Sequence, residues 1–599
     1  MKSKAFAWIS AMTSLAALAM PVQPAAQDSQ DHNNCPKHHH YKLVDPGTFG
    51  GPLNYINGDD LLVPSVSPAH NINRAGTLTG WADTSISDPY GPNYCFNGDC
   101  FVSHAFRWRE GSKTDLGVLP GGSNSASTWI SANGLVVGAS QNGQLDPLLA
   151  GFPEDQAVLW RDGEIINLGS LPEGSYENGA QAVNSRGQVV GWAFNTVSDP
   201  YSIGGVAGVP VYDFYEPYPY YYQERAFFWQ DGVGMQDLGT LGTGNDAVAM
   251  AINDLGQVIG FSYTSSTPNQ LPSPCSAVTN GLIPTVDPFR WQNGKMFDLG
   301  TLGGTCGIPE WINDRGQVVG YSFLADDQVP HAFLWPGRNG KMQDLGTLGG
   351  SSASSVAQMI NDFGQIVGGS MLADSRTDAF LWDGNMHDLG ALNGCSYAFA
   401  INAHRQVVGN WGGPECNQGA FLWEDGGPMV DLNTLVSSTT GLSVAGAIEI
   451  NDRGEIAGSA TDLSGNVYAM LLIPCDENHP GVEGCDYSLV DAAAATRRSL
   501  GAQRPTDHRP FPITGSEDDQ KAPTSRESNW RLEDKLTIFD RAEPATDSGS
   551  KTSGDGAQSP QSCIRLGRRC YGPGPTRCCP APFPIIRSAV AAPAGGHAS

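Results

Sequence analysis

Residues 312–320 read INDRGQVVG, and the pattern I-N-x-x-G-x-V-x-G recurs eight times, starting at 72, 130, 183, 252, 312, 360, 401 and 450. A second pattern alternates with it. It reads HAFRW at 104, QAVLW at 156, RAFFW at 225, DPFRW at 287, HAFLW at 331, DAFLW at 378 and GAFLW at 419, with a degenerate YAMLL at 468. Past the Trp, a turn such as DGEI or NGKM leads to D-L-G, as at Asp298-Leu299-Gly300 and Asp344-Leu345-Gly346. A unit repeating every 41 to 69 residues confines the chain to repeat architectures.

Each unit offers four short apolar segments: A-F-L-W, the D-L-G segment, the one ending I-N, and Q-V-V-G. Bounded by Gly, Asn and Asp, they read as strands. In N-D-x-G the Asn and Asp suit a type I turn, and Gly supplies the φ > 0 position that follows. No segment holds a 3.6-residue period for three turns, so an all-α fold is excluded. Four strands per unit predict a propeller blade. The ends bear on closure. YKLVDPGTFGG (41–51) matches the D-L-G segment without its A-F-L-W partner, and YAMLLIP (468–474) matches A-F-L-W without its D-L-G. The expectation is an all-β, eight-bladed β-propeller over 41–474, closed by pairing of its N- and C-terminal strands, with no free edge. A linear β-solenoid is the alternative, and it leaves the complementary ends unexplained.

The repeats resemble the extracellular HAF-repeat proteins, named for the His-Ala-Phe found at His104-Ala105-Phe106 and His331-Ala332-Phe333. The resemblance spans 41 to about 474 and implies secretion and a repeat architecture. Gln156, Asp378 and Gly419 stand where the motif has His. The imidazole is therefore tolerated at a strand start, not required.

The N-terminal 26 residues read as a signal peptide, with Lys2 and Lys4 before the apolar run 5–20 and small residues at Ala25 and Ala26. A leader, 27–40, follows. No stretch reaches the length of a membrane span, so the expected mature protein is not membrane-spanning and is secreted, extracellular or periplasmic. A net charge of −27 with no Lys/Arg cluster argues against a nucleic-acid partner.

The strand order sets the tight turns on one face and the loops of variable length on the other. Loops that break a repeat are where function concentrates. The longest, at 192–224, carries VYDFYEPYPYYYQE, with Asp213, Tyr215, Glu216, Tyr218, Tyr220, Tyr221 and Tyr222. Tyrosines give flat, amphipathic contact area at low entropic cost. These residues are the candidate ligand-binding set, for a carbohydrate or protein partner, with packing over the blades as the alternative role.

Other chemistry finds less support. Asp recurs at the turns (Asp254, Asp314, Asp362, Asp452), but Arg74, Ala132, Ser185 and Ala403 replace it elsewhere, whereas a calcium site needs several converging oxygens. His38, His39 and His40 are adjacent and cannot all point one way. No metal or cofactor is expected, and no G-x-S-x-G, H-E-x-x-H or P-loop occurs. Asp213, Glu216 and Asp287 could supply carboxylates to a propeller hydrolase or lyase acting on polysaccharide, yet nothing pairs them. A binding or scaffold module is the leading function.

The 13 cysteines suit an oxidising compartment. The expected pairs are Cys95–Cys100, Cys275–Cys306, Cys395–Cys416, and Cys35 with either Cys475 or Cys485 as a clamp on the closing blade. Residues 475–562 read as a linker, disordered where large apolar residues become scarce. The segment 563–579 places Cys563, Cys570, Cys578 and Cys579 as C-x6-C-x7-C-C, which looks like the opening of an incomplete knottin. A disordered end, 580–599, follows.

Overall fold

The computed structural model describes residues 39–485, apart from 59–68, 93–94, 148–150, 173, 175–176, 204–221, 277–280, 338–339, 414–415, 425 and 437–440. Strands dominate them. They contain no α-helix; a 3₁₀ turn spans Leu432–Thr434. Among the described residues no helix is long and apolar enough to cross a membrane.

One unit illustrates the local logic. Strands β6 (Ser125–Ile130), β7 (Val136–Leu145), β8 (Pro153–Arg161) and β9 (Glu164–Asn167) form an antiparallel meander in that order. The V-V pair of β7 faces the L-W pair of β8, Val136 opposite Trp160 and Val137 opposite Leu159. Gly134 (φ 87°) turns the chain between β6 and β7. The sheets comprise six of four strands and one of eight, the latter joined where Val286 lies parallel to Cys306. Such a succession of small antiparallel meanders is propeller-like. The first strand, β1 (Tyr41–Val44), pairs with the last, β32 (Val467–Pro474), from Tyr41 opposite Pro474 to Val44 opposite Leu471.

Two residues of the repeat lock each sheet. The aromatic ring of A-F-L-W is fully buried at Phe106, Phe227, Phe289, Phe333, Phe380 and Phe421. The glycine of V-x-G sits against that ring and under the inner strand. A Cβ on Gly260 would lie 1.9 Å from the Val248 carbonyl oxygen and 2.7 Å from the Phe289 ring. The second glycine of the motif is thus required by close backbone approach, not by its turn.

At the outer edge, the first residue of the A-F-L-W segment faces the Asp of D-L-G. His104 Nδ1 lies 2.9 Å from Asp115, His331 Nδ1 lies 2.9 Å from Asp344, and Arg225 donates two bonds to Asp237. The Asp also accepts the amide two residues on, as Gly117 donates to Asp115 and Gly346 to Asp344. Where the repeat has Asp instead, two carboxyls face each other. Asp287 is pushed up to about 7, first by burial and then by Asp298.

Disulfides join Cys95–Cys100, Cys275–Cys306 and Cys395–Cys416, with Cα separations of 4.8, 5.8 and 5.3 Å. The expected clamp is corrected. Cys475 pairs with Cys485, Cα atoms 5.4 Å apart, which leaves neither for Cys35. After β32 the chain doubles back through turns in which His479 N donates to Asp476 O and Cys485 N to Val482 O. A loop of ten residues closes at lower entropic cost than one of several hundred. The closing strands are instead extended by a backbone bond from Cys475 N to His40 O (2.8 Å). Cys35, Cys563, Cys570, Cys578 and Cys579 lie outside the described residues.

Candidate functional site

The I-N turns do more than reverse the chain. Asn313 Oδ1 accepts the amides of Arg315 (3.1 Å) and Gln317 (3.0 Å), which shapes its own turn. Its Nδ2 donates to Gln317 Oε1 (2.9 Å) and to the backbone oxygen of Asn361 in the next unit (3.0 Å). The relation continues. Asn184 donates to Asn253 O, Asn253 to Asn313 O, Asn361 to Asn402 O, Asn402 to Asn451 O, Asn451 to Asn73 O, and Asn73 to Ser131 O. Ser131 replaces Asn, and Asn133 carries the link onward to Ser185 O (2.9 Å). At the one turn without glycine, Arg405 still takes a positive φ of 66°.

These turns border a single cavity of about 220 Å³, to which all eight contribute. Arg74, Ala132, Ser185, Asp254, Asp314, Asp362, Ala403 and Asp452, each one position beyond its Asn or Ser131, form one level of its wall. Four carboxylates there face one guanidinium. Arg74 is 3.5 Å from Asp452 and 3.9 Å from Asp362. The Asp side chains also link turns, Asp254 N donating to Asp314 and Asp314 N to Asp362. Burial, then the neighbouring carboxylates Asp362 and Asp254, outweigh Asp254 N and Arg74 and push the Asp314 carboxyl up.

Two residues before the I-N asparagine, or Ser131, the eight units have Asn71, Trp129, Ala182, Ala251, Trp311, Met359, Ala400 and Glu449. Trp129 and Trp311 come from non-adjacent units and stack with ring centroids 5.5 Å apart. The intervening units have Ala at that position, which leaves room for the two indoles. His70 packs on Trp129 (5.0 Å) and reaches Glu449 Oε1 (2.5 Å), whose other oxygen accepts the amides of Asn71 and Ile72. This aromatic and acidic floor was missed by sequence reasoning. Two Trp at one motif position, with Ala in the two units between them, were its available signal.

A second regularity has no residue-type signature. Seven inner strands carry a register shift at the residue three before that Asn or Ser131: Thr128, Gln181, Met250, Glu310, Gln358, Phe399 and Ile448. An extra residue in one strand re-aims its side chain.

On the loop face, Asp213, Tyr215, Glu216, Tyr218, Tyr220 and Tyr221 lie outside the described residues. Tyr222 is partly buried at the start of β12 (Tyr222–Gln230), opposite Ser198. The two ends of the long loop meet at one buried carboxylate. Asp246 accepts the amides of Ile203 (3.0 Å) and Glu224 (2.9 Å). Burial, then Asp199, pushes Asp246 well above the usual carboxylate range. Asp287 pairs with Asp298 on a strand edge, so the structure does not bring it to the cavity that the turns border. Among the described residues, no three His, Cys, Asp or Glu side chains converge to hold a metal ion; His38 lies outside them.

No family model and no curated protein matches this chain. Solved structures do. A Pyrococcus horikoshii acylaminoacyl peptidase is 11% identical, with a TM-score of 0.34 and 62% of this chain and 53% of that one covered. The β-propeller domain of the Trilobed protease from Pyrococcus furiosus is 11% identical, with a TM-score of 0.30 and coverage of 59% and 98%. A mutant of the Aleuria aurantia lectin, in complex with Fucα1-6GlcNAc, is 10% identical, with a TM-score of 0.23 and coverage of 50% and 92%. This chain thus spans about half the length of the peptidase.

Proposed function

We propose that this chain is an exported binding or scaffold module, an eight-bladed β-propeller of the HAF-repeat kind closed by its terminal strands. The pairing of β1 with β32 and the Asn-to-carbonyl bonds that run from unit to unit support closure. Four cysteine pairs at disulfide distance suit an extracellular setting.

One observation carries the binding reading. A cavity of about 220 Å³, bordered by all eight turns, combines an aromatic floor with a carboxylate-rich wall. Concave sites with apolar walls and a few convergent polar groups are where small ligands bind. A second contact, through the tyrosine-rich loop, is favoured by the way Asp246 ties both of its ends to the scaffold. The alternative function is a polysaccharide hydrolase or lyase.

A glycan and peptide array tests these readings with the full chain, the Asp314→Asn/Asp362→Asn variant and a chain lacking residues 211–224. We expect a ligand that is retained without turnover, that weakens at least tenfold in the double variant and that weakens less than this on the deletion. Loss on the deletion alone moves the contact to the loop face. Release of a cleaved product supports the enzyme instead.

A further inference from the structure

Trp311 of the stacked pair also borders a second, smaller cavity of about 40 Å³, together with Glu310, Gln358, Met359, Phe399 and Ile448 among others. Glu310, Gln358, Phe399 and Ile448 all occupy the shifted position of their inner strands. The strand irregularity therefore turns the same four positions toward one space.

Glu310 is the acidic residue of that set. It is 1% exposed, and its Oε1 has no hydrogen-bond partner. Among the described residues, no Lys or Arg borders the cavity. The other carboxylate there, Glu449, is already held by His70 and by the Asn71 and Ile72 amides. A buried, unpaired carboxylate is costly and calls for a cation or a proton. Burial alone drives the Glu310 carboxyl well above its ordinary range, so it holds a proton until a bound cation displaces it.

We propose that this cavity binds an alkylammonium group, with Glu310 as its anion and Trp311 and Phe399 as aromatic walls. The inference rests on the reading of the chain as a binding module. An ammonium head supplies N–H donors to the unpartnered oxygen, in a charge-assisted bond. Indole and phenyl rings attract a desolvated cation, while Met359 and Ile448 suit its methylenes. The space exceeds the ~10–15 Å³ that one water requires, so a few heavy atoms fit. A divalent ion is a poorer match, because it would want several oxygen ligands.

The test is calorimetric titration of the full chain with n-propylammonium chloride, with potassium chloride as the control cation, in the wild type and in Glu310→Gln. We expect saturable binding of the amine, no response to potassium, and at least tenfold weaker binding in Glu310→Gln. If that variant does not fold, Gln358→Leu is the second probe; it keeps the charge and should weaken binding severalfold. Absence of saturable amine binding, equal binding of potassium, wild-type affinity in a folded Glu310→Gln, or, where that variant does not fold, wild-type affinity in Gln358→Leu overturns the proposal. Lost amine binding beside a retained array ligand sinks only this pocket, whereas failure of both sinks the module reading.

Discussion

The turns around the axis and the outer edges of the sheets answer the same need, a polar side chain that must find a partner, in opposite ways. At the turns, one Asn shapes its own backbone and bonds the backbone of the next unit. Both partners are main chain, present whatever the sequence, so seven of eight units keep Asn. At the outer edge, the partner is a side chain of the same unit, and the pair has drifted through His–Asp, Arg–Asp and Asp–Asp. The repeat thus keeps the residue that bonds main chain in two units and varies the one whose partner is a side chain of its own unit.

Breaking the inner link should cost most. Asn361→Ala removes two accepted bonds and the link donated to the Asn402 carbonyl, which then keeps only the Arg405 amide. We expect a loss of about 3 kcal/mol from several buried bonds in urea unfolding. A loss no larger than that of an outer-edge variant would end the distinction.

The mismatched outer pair should show next, through pH. Asp287 titrates near 7 in the folded chain and near 3.8 when unfolded. Below about 4 both states hold the proton and its contribution is intact. As pH rises from 4 to 7 the unfolded state ionises first, so stability falls, then levels off. Asp287→Asn should flatten that decline, by on the order of 1 kcal/mol between pH 4.5 and 7.5, since Asp298 is solvent-screened. A decline that persists unchanged in the variant would assign it to other groups.

Arg405→Gly sharpens the comparison from the other side. Its φ of 66° suits glycine, which the equivalent turns have, so relief of strain should raise stability by about 0.5–1 kcal/mol. The exposed bond from Arg405 to Asp383 offsets little of this. An unchanged or lower unfolding midpoint would mean the arginine's other contacts outweigh the strain.

Smallest of all should be His331→Gln, which puts at 331 the residue type that Gln156 supplies in another unit. We expect a change within about 0.5 kcal/mol by the same unfolding assay, and a larger one would make the imidazole itself structural.

Strand identity was legible because apolar runs of four to six residues and N-D-x-G turns are local signals. The β1–β32 pairing was legible because each end lacked what the other had. Cys95–Cys100, Cys275–Cys306 and Cys395–Cys416 followed from proximity of loops, whereas Cys475–Cys485 depended on a reversal after the last strand that the repeat does not encode. The strand shift at Glu310 and its counterparts left no trace, since Thr, Gln, Met, Glu, Phe and Ile share no chemistry. Placing function on the variable loops left the turn face without a candidate site. Its cavity exists only when eight of them are assembled.

The seam between β1 and β32 limits how such a chain can lengthen. A unit appended after Pro474 would carry its own D-L-G strand and compete with Tyr41–Val44 for the edge of β32. A unit prefixed before Tyr41 would compete for the same place from the other side. Growth by tandem duplication therefore has to occur inside the chain, between intact units, with both termini left as they are.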